Sequence, residues 1–593
     1  MRAEASSFLK KMARNPWALF AVTAVAMGAF IRICGMSHQI PMDDEWHGIF
    51  AAGTKTIGYL ATHLSVAGTS IPYSLYLRSC LMTVGWNEVI LRLPALVAGL
   101  ACLVVCPLTV RRLFKVRAAA LYTFFLAISP LLIFYSRYSR SYSITVLFQF
   151  TALFSFYSWL TTGNRKDRLL FIVSIVLAIW FHCFAISLFL ACLLFTCAVK
   201  SPFLMSIVGC DSRLAAVGWR QVLGVFFTVV VLLTVLYGPT FLNGSFSEAM
   251  LWRVQPSLPG PESFFEMLIL MSGTGRTAVL VIMAELGLLG SITVLRAQRP
   301  LALLFLSCLL VSGLCLFSAW RENVTGFAAT RWAIILVPIY LLVVALGLEK
   351  LFLAVKEAAP RLGWGQKTFP ATVVLFAVMA FLVSGTPLVS IYAGVNDFTN
   401  HNAFQQDYRN IQRGAWYRDL AYPFDLAEEN IPDFYRNLRL EEGAFSILEY
   451  PMVIGWHFNC QYYYQHLHGK HVLAGFVSFL RFVDERLQPT MVFGDGFFDF
   501  YLMDIRCPGK LRFRTIIDML DIDGMRKAGV RYIVLHNDIL RETFNRPGRI
   551  ILSDDPFFVQ LKDFYSRHFG APVYADNWII VFRTRREPDG SLK

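Results

Sequence analysis

Charge is scarce in this chain. Only 16% of its 593 residues are Asp, Glu, Lys or Arg, whereas 56% are hydrophobic and the mean hydropathy is +0.53. A soluble chain of this length carries more charge, because it has more surface to hydrate than this composition can cover. One soluble globule is therefore disfavoured, and many lipid-embedded helices joined to a soluble part fit better. Cysteine patterns that hold metals or run redox chemistry are also missing. The 12 Cys are scattered, with no C-x-x-C pair and no Cys/His cluster at zinc spacing, and most sit in apolar segments as small hydrophobes. Cys460 and Cys507, in the more polar C-terminal part, are placed to pair if that part faces an oxidising space. The chain has no G-x-x-x-x-G-K-[ST] loop, no G-x-G-x-x-G after a strand, no H-E-x-x-H and no G-x-S-x-G. A nucleotide-driven pump or a serine hydrolase thus finds no support. No internal repeat stands out, and no cleavable signal peptide is evident, since residues 17–36 are long enough to span.

What the chain has is apolar runs. Crossing a bilayer core takes about 20 mainly apolar residues. Runs of that kind fall near 17–36, 89–110, 118–135, 143–161, 169–181, 184–199, 221–238, 277–295, 301–319, 331–348 and 369–389, with the stretch 169–199 divided at His182. The net charge of +14 reads through these spans before it reads as nucleic-acid affinity, because Lys and Arg collect in cytoplasmic loops. Basic clusters lie at the N-terminus, at 111–117, at 164–168, between Lys200 and Arg220, at 296–299 and between Lys350 and Lys367. Eleven spans with a cytoplasmic N-terminus put every cluster on one side, and joining 169–199 into a single span would invert the later ones. The fold expected is therefore a polytopic α-helical membrane protein of about eleven transmembrane helices over 1–389. A C-terminal α/β domain over 390–593 follows on the non-cytoplasmic face. The runs "FSILEY" (445–450), "VRYIVLH" (530–536) and "NWIIVF" (577–582) read as strands and 514–528 as a helix.

On this topology the outer loops are 37–88, 136–142, the turn at His182, 239–276 and 320–331. Three places in them carry unusual residues. "IPMDDEWHGIF" (40–50) sets Asp43, Asp44 and Glu45 in a row beside Trp46 and His47. Solvated acids beside a span are ordinary, but three like charges together call for a raised pKa or a cationic partner. An ionised carboxylate there suits a general base acting on a substrate hydroxyl. "YSRYSRSYSI" (135–144) places Arg137 and Arg140 on the side where Arg is disfavoured, with Tyr135, Tyr138 and Tyr142 interleaved. Snorkelling to lipid headgroups and binding of a phosphate by the forked guanidinium are both open. Arg331 opens a late span from the same side, and His182 sits at an outer turn, where a lone His is more often structural. Glu285, inside a span, is expected to be paired, protonated or lining a cavity.

In this order the motifs resemble the GT-C membrane glycosyltransferases, in particular the branch of protein O-mannosyltransferases and lipid A aminoarabinose transferases. The match runs through Asp44-Glu45 after the first span, "SIPYSLYL" (70–77) and "WNEVILRLPALVAGL" (86–100). It continues through "SPLLIFYSRYSRSYSITVLF" (129–148), similar to P-x-x-x-x-Y-x-R-x-x-R-x-Y, and "TRWAIILVPIYLL" (330–342). In the tail, 462–478 and 525–538 resemble outer-face domains of bacterial members. The resemblance implies an inverting glycosyltransferase of the inner membrane that moves a sugar from a polyprenyl-phosphate donor to a lipid, glycan or protein acceptor. Asp44 matches the general base and Glu45 its partner, while Arg137, Arg140 and Arg331 fall where the donor phosphate would be held. His182, Tyr142, Trp46 and His47 are further substrate-binding candidates. No cofactor is implied. A divalent metal is not favoured, because "SRYSRSY" lacks the second acid that several relatives carry; Asp43 adds an acid to the first loop instead, leaving Asp43 and Asp44 as competing bases. The alternatives are an oligosaccharyltransferase using a pyrophosphate-linked glycan, or a non-catalytic transporter or scaffold.

Overall fold

The computed structural model describes residues 15–34, 36, 44–64, 70–84, 87–201, 217–247, 261–319, 326–362 and 368–388, and then 431–443, 445–450, 464, 467–472, 522, 529–536, 556–576 and 579–584. Structural statements below concern these. The chain divides into two compact units, one of residues 1–36, 48–393 and 403–413, the other of 37–47, 394–402 and 414–593.

The first unit is built of helices. In chain order they are α1 Pro16–Ile33, α2 Asp44–Thr54, α3 Ile57–Thr62, α4 Ile71–Thr83, α5 Glu88–Arg111, α6 Val116–Ile128, α7 Pro130–Ser136, α8 Tyr142–Thr162 and α9 Arg165–Phe181. Then come α10 Ile186–Lys200, α11 Trp219–Leu242, α12 Pro261–Ser272, α13 Thr277–Ala297, α14 Arg299–Ala319, α15 Gly326–Trp332, α16 Leu336–Ala358 and α17 Thr368–Ser384. Among the described residues eight helices are long and apolar enough to cross a membrane, or nine if α6 and α7, bent by 65° at Ser129, form one span. Each of the eleven apolar runs carries helix among its described residues, but 331–348 is broken between Trp332 and Leu336, and α9 and α17 have only 17 residues each, so length and composition do not support the full count of eleven. The division at His182 is real: α9 stops at Phe181, His182 is extended at φ −154°, and a 3-10 turn Cys183–Ala185 leads into α10. The described residues of the segment 37–88 are mostly helix rather than coil, and Thr56 and Ser70 accept hydrogen bonds from N–H groups at the starts of α3 and α4.

Two helices approach so closely that only glycine fits between them. A Cβ on Gly290 of α13 would overlap the carbonyl of Val343 in α16, and one on Gly347 of α16 would overlap the carbonyl of Leu286 in α13. Small residues of this kind let backbones in a bilayer pack without a hydrophobic driving force between them. Elsewhere the cytoplasmic-type cluster 111–117 supplies Arg117, whose Nε donates to Glu349 Oε1 at 3.1 Å and ties α6 to α16.

The second unit centres on a five-stranded sheet, β1 Ser446–Tyr450, β2 His471–Val472, β3 Val530–His536, β4 Tyr574–Ala575 and β5 Ile579–Arg583, in the order β2-β1-β3-β5-β4. The first three strands are parallel and β5 and β4 antiparallel. Ile447, Ile533, Val534, Leu535, Ile579 and Val581 are buried, as expected for β-branched and aliphatic residues on covered strands. All three strands read from the sequence are present, with "NWIIVF" shifted to begin at Ile579; the helix expected at 514–528 lies outside the described residues, as do Cys460 and Cys507. Helices α18 Asp433–Leu438 and α19 Pro556–Phe569 complete the unit, and the buried Tyr565 of α19 meets Phe582 with ring centroids 5.9 Å apart. Near the sheet, Tyr435 donates to the buried Glu449 at 3.0 Å and stacks between Tyr464 and His468. His468 is itself buried, and its Nδ1 accepts from Lys470 N at 3.0 Å, so the ring is held neutral.

Two predictions follow from this packing. Gly290→Ala and Gly347→Ala each force a helix pair apart, at a cost of about 1–3 kcal/mol or more; thermal melts of the detergent-purified protein should fall for both, whereas Gly313→Ala, where a Cβ meets open space, should leave the melt unchanged. The second concerns His468. Burial, with Lys470 adding to it, lowers its pKa to about 3, against an ordinary value of about 6.5. As pH falls below about 6.5 the unfolded chain takes up a proton that the folded one refuses, so stability declines steadily towards pH 3. At pH 4.5 the loss is about 2–3 kcal/mol. Hydrogen-exchange protection of β3 amides in the full chain, corrected for the intrinsic rate at each pH, should fall over this range and fall less in His468→Phe.

Candidate functional site

The acids stand at the start of a helix held in place by an arginine at its other end. Asp44 begins α2, while Asp43 lies outside the described residues, and of the side chains in the motif Glu45 is described and fully buried. The far end of α2 leaves carbonyls without intrahelical partners. Arg78 of α4 meets that need, its Nη1 donating to Ala52 O at 3.0 Å and to Gly53 O at 2.9 Å. On the side of α2, a Cβ placed on Gly48 would stand 3.3 Å from Leu77 Cδ1 and 3.9 Å from Arg140 Nη1. Gly48 follows Asp44 by four residues and Glu45 by three, so it belongs to their face of the helix. The guanidinium of Arg140 therefore stands close to Gly48 in α2.

Arg137 has a different duty. It is fully buried at the end of α7, and its Nη1 donates to Ile31 O at 3.1 Å and to Cys34 O at 2.6 Å, the last carbonyls of α1. A second arginine, Arg32, reaches back from α1. Its Nε donates to Ser136 Oγ at 3.2 Å, and its two terminal nitrogens donate to the carbonyls of Gly28 at 3.0 Å, Ala127 at 3.2 Å and Leu126 at 2.9 Å. Ser136 in turn donates to Leu132 O at 2.6 Å and fits because Gly99 of α5 has no side chain to meet it. Together these contacts hold the break between α6 and α7 against the end of the first helix.

From that break a run of aromatic rings joins segments far apart in the chain. Tyr135 and Tyr142 have centroids 4.6 Å apart, Tyr142 and His182 5.3 Å, and His182 and Phe184 5.8 Å. Phe184 stacks on Trp332 at 4.8 Å with the rings only 10° from parallel. Ser141 locks the same region by donating to Phe181 O at 2.7 Å. Trp332 ends α15, packed on the cluster of Met267, Leu316, Ala329 and Ala333, and Arg331 is its half-buried neighbour. Tyr142, His182 and the Arg331 helix are thus joined by a chain of ring contacts through Phe184 and Trp332. One detail differs: Arg331 does not open the span but sits in the last turn of the separate short helix α15, with α16 starting at Leu336. A cation there complements the negative end of the helix dipole.

Three further observations bound the site. Among the described residues no three His, Cys, Asp or Glu side chains gather as a metal-ligand group. A cavity lined by Phe125, Ile128, Pro130, Ser272, Met283 and Leu382 has room for the centre of about one water, some 10 Å³, and is too small for a sugar. Glu285 has no partner among the described residues and is exposed on the flank of α13. Sequence reasoning passed over Arg32, Arg78, Gly48, Phe184 and Trp332. Arg32 alone left a signal, a charge inside the end of an apolar run; the others act through contacts between segments that no single-chain pattern records.

No protein-family model matches the chain, and no curated protein matches its sequence. Solved structures do share its fold. The crystal structure of ArnT from Cupriavidus metallidurans bound to undecaprenyl phosphate superposes with a TM-score of 0.50 at 14% identity, over 97% of this chain and 99% of that one. The apo state of the same protein gives 0.48 at 13% identity, over 97% and 98%. The apo oligosaccharyltransferase of Archaeoglobus fulgidus gives 0.48 at 13% identity, over 88% and 70%. This chain shares the fold of the ArnT bound to undecaprenyl phosphate. At such identity the likeness speaks for architecture: a polytopic helical unit followed by a small C-terminal sheet.

The division of labour between the arginines is testable. Arg137→Ala strips two charge-assisted donors from the α1 carbonyls, each worth about 1.5–3 kcal/mol. Its melting temperature should fall well below that of Arg140→Ala, because Arg140 is only half-buried. Equal melts for the two variants would contradict the structural role given to Arg137.

Proposed function

We propose that this protein is an inverting glycosyltransferase that moves a sugar from a polyprenyl-phosphate donor to an acceptor hydroxyl on the non-cytoplasmic face of a membrane. The observation that supports the reading is Arg140 Nη1 standing close to Gly48 of α2, the helix that Asp44 begins. A base and a phosphate-binding cation on adjoining elements are what such a transfer needs. The GT-C fold, shared with an ArnT bound to undecaprenyl phosphate, supports the class of donor.

In this mechanism Asp44 takes the proton from the acceptor hydroxyl as its oxygen attacks the anomeric carbon, with Asp43 as the competing base and Glu45 as partner. The bond from the anomeric carbon to the phosphate oxygen breaks, its electron pair leaves with the polyprenyl phosphate, and the anomeric configuration inverts. Arg140 and Arg331 stabilise the negative charge that grows on the departing phosphate. Arg137, engaged with main-chain carbonyls, contributes by setting the loop from which Arg140 reaches. Tyr142 and His182 would border the donor sugar, where aromatic faces favour its apolar C–H surface, and Trp46 and His47 would border the acceptor.

The test uses purified protein in proteoliposomes with labelled polyprenyl-phosphate sugars and cell-envelope lipids, glycans and proteins as acceptors. Wild type should release polyprenyl phosphate and label an acceptor with inverted configuration. Asp44→Asn should lower the rate about 10²–10⁴-fold if Asp44 is the base, and Asp43→Asn far less. Full activity in both variants would overturn the general-base assignment. Turnover only with a pyrophosphate-linked glycan would replace the donor class.

A further inference from the structure

The flank of α13 that faces away from α16 carries the inference. The two helices meet through Gly290 and Gly347, and Met283, Leu286 and Val294 are buried on the α13 side. The opposite side is an exposed stripe at helical spacing that includes Ala278, Val281, Ala284, Glu285, Leu288 and Ile292. Glu285 lies eight residues from the start of α13 and twelve from its end, hence about 12 Å and about 18 Å along the axis. Arg276, the N-cap, and Arg296, in the last turn, are about 13 and 16 Å away by the same rise. No described residue hydrogen-bonds to the carboxyl or pairs with it. An acid at this depth facing lipid is costly, and such residues as a rule find a partner.

We propose that this stripe is a docking surface for a transmembrane helix of another polypeptide that carries a Lys or Arg at mid-depth. Charge complementarity selects that partner: a cation at the matching depth satisfies the carboxyl that the described residues leave without one. Ala278 and Ala284 beside Glu285 leave room for a helix backbone to come close, and a close approach is what makes an interhelical ion pair effective in hydrocarbon. A second copy of this chain would bring carboxyl against carboxyl and offers no cation. The proposal is independent of the transfer chemistry, because α13 contributes none of the residues assigned to it.

The experiment places donor-labelled full-length protein in liposomes with an acceptor-labelled synthetic helix of Leu and Ala bearing one central Lys. Energy transfer should exceed that with an all-Leu helix, and Glu285→Leu should weaken association roughly tenfold. Ala284→Phe, which keeps the carboxyl and blocks the approach, should weaken it as well, so the effect does not rest on one variant's folding. Equal association of wild type and Glu285→Leu with the Lys helix would overturn the proposal. So would Glu285-dependent self-association of the protein in place of binding to the Lys helix.

Discussion

The rest of the helical unit depends on how the carbonyls at the end of the first helix are satisfied. A helix leaves its last four carbonyls without partners, and a bilayer core supplies no water for them. Arg137 meets Ile31 and Cys34, and Arg32 returns the favour by meeting Leu126 and Ala127 at the end of α6. Each arginine sits on one side of a break and caps the backbone on the other. The bend of 65° at Ser129 is thereby fixed, and with it the direction in which residues 138–142 leave the bundle. Tyr142, His182 and Trp332 are placed by that direction through ring-to-ring contact. The acid helix is placed separately, by Arg78 at its far end and by the fit of Leu77 against Gly48.

Much of this architecture was legible in the sequence because the physical signals are strong. Each apolar run became a helix, since a run of that length in hydrocarbon has no other way to satisfy its backbone. The break at His182 was visible as an alternation of basic clusters, a signal that hydropathy alone does not carry. The strands at 446–450 and 530–536 sat where β-branched residues concentrate. The short helix α15 was not legible, because "GFAATRW" has neither the length nor the apolarity of a span, and its position depends on Trp332 stacking on Phe184. The helical content of the first loop hid for a related reason: its segments are short and are stabilised by caps and by tertiary contact rather than by periodicity.

The arginines show where reading a chain alone stops. Charge asymmetry identifies them as out of place, and both a backbone cap and a phosphate site explain an arginine that breaks the rule. The two uses demand the same donors, so composition cannot separate them. Geometry does. Arg137 has its Nη1 on two carbonyls and no exposed surface, whereas Arg140 is only half-buried and reaches the side of α2. Glu285 gives the converse lesson, since hydropathy locates an acid inside a span but only packing decides which way it faces.

Under the proposed reaction, the setting of Arg140 beside the anchored Arg137 has a physical logic. A phosphate-binding cation must keep its position when the phosphate leaves, or the charge gained in the transition state is lost to reorganisation. Arg140 lies three residues after Arg137 on a turn whose start is anchored by main-chain hydrogen bonds and whose end is anchored by Ser141 on Phe181. With both ends fixed, little of the binding energy of a phosphate would be spent on ordering the loop.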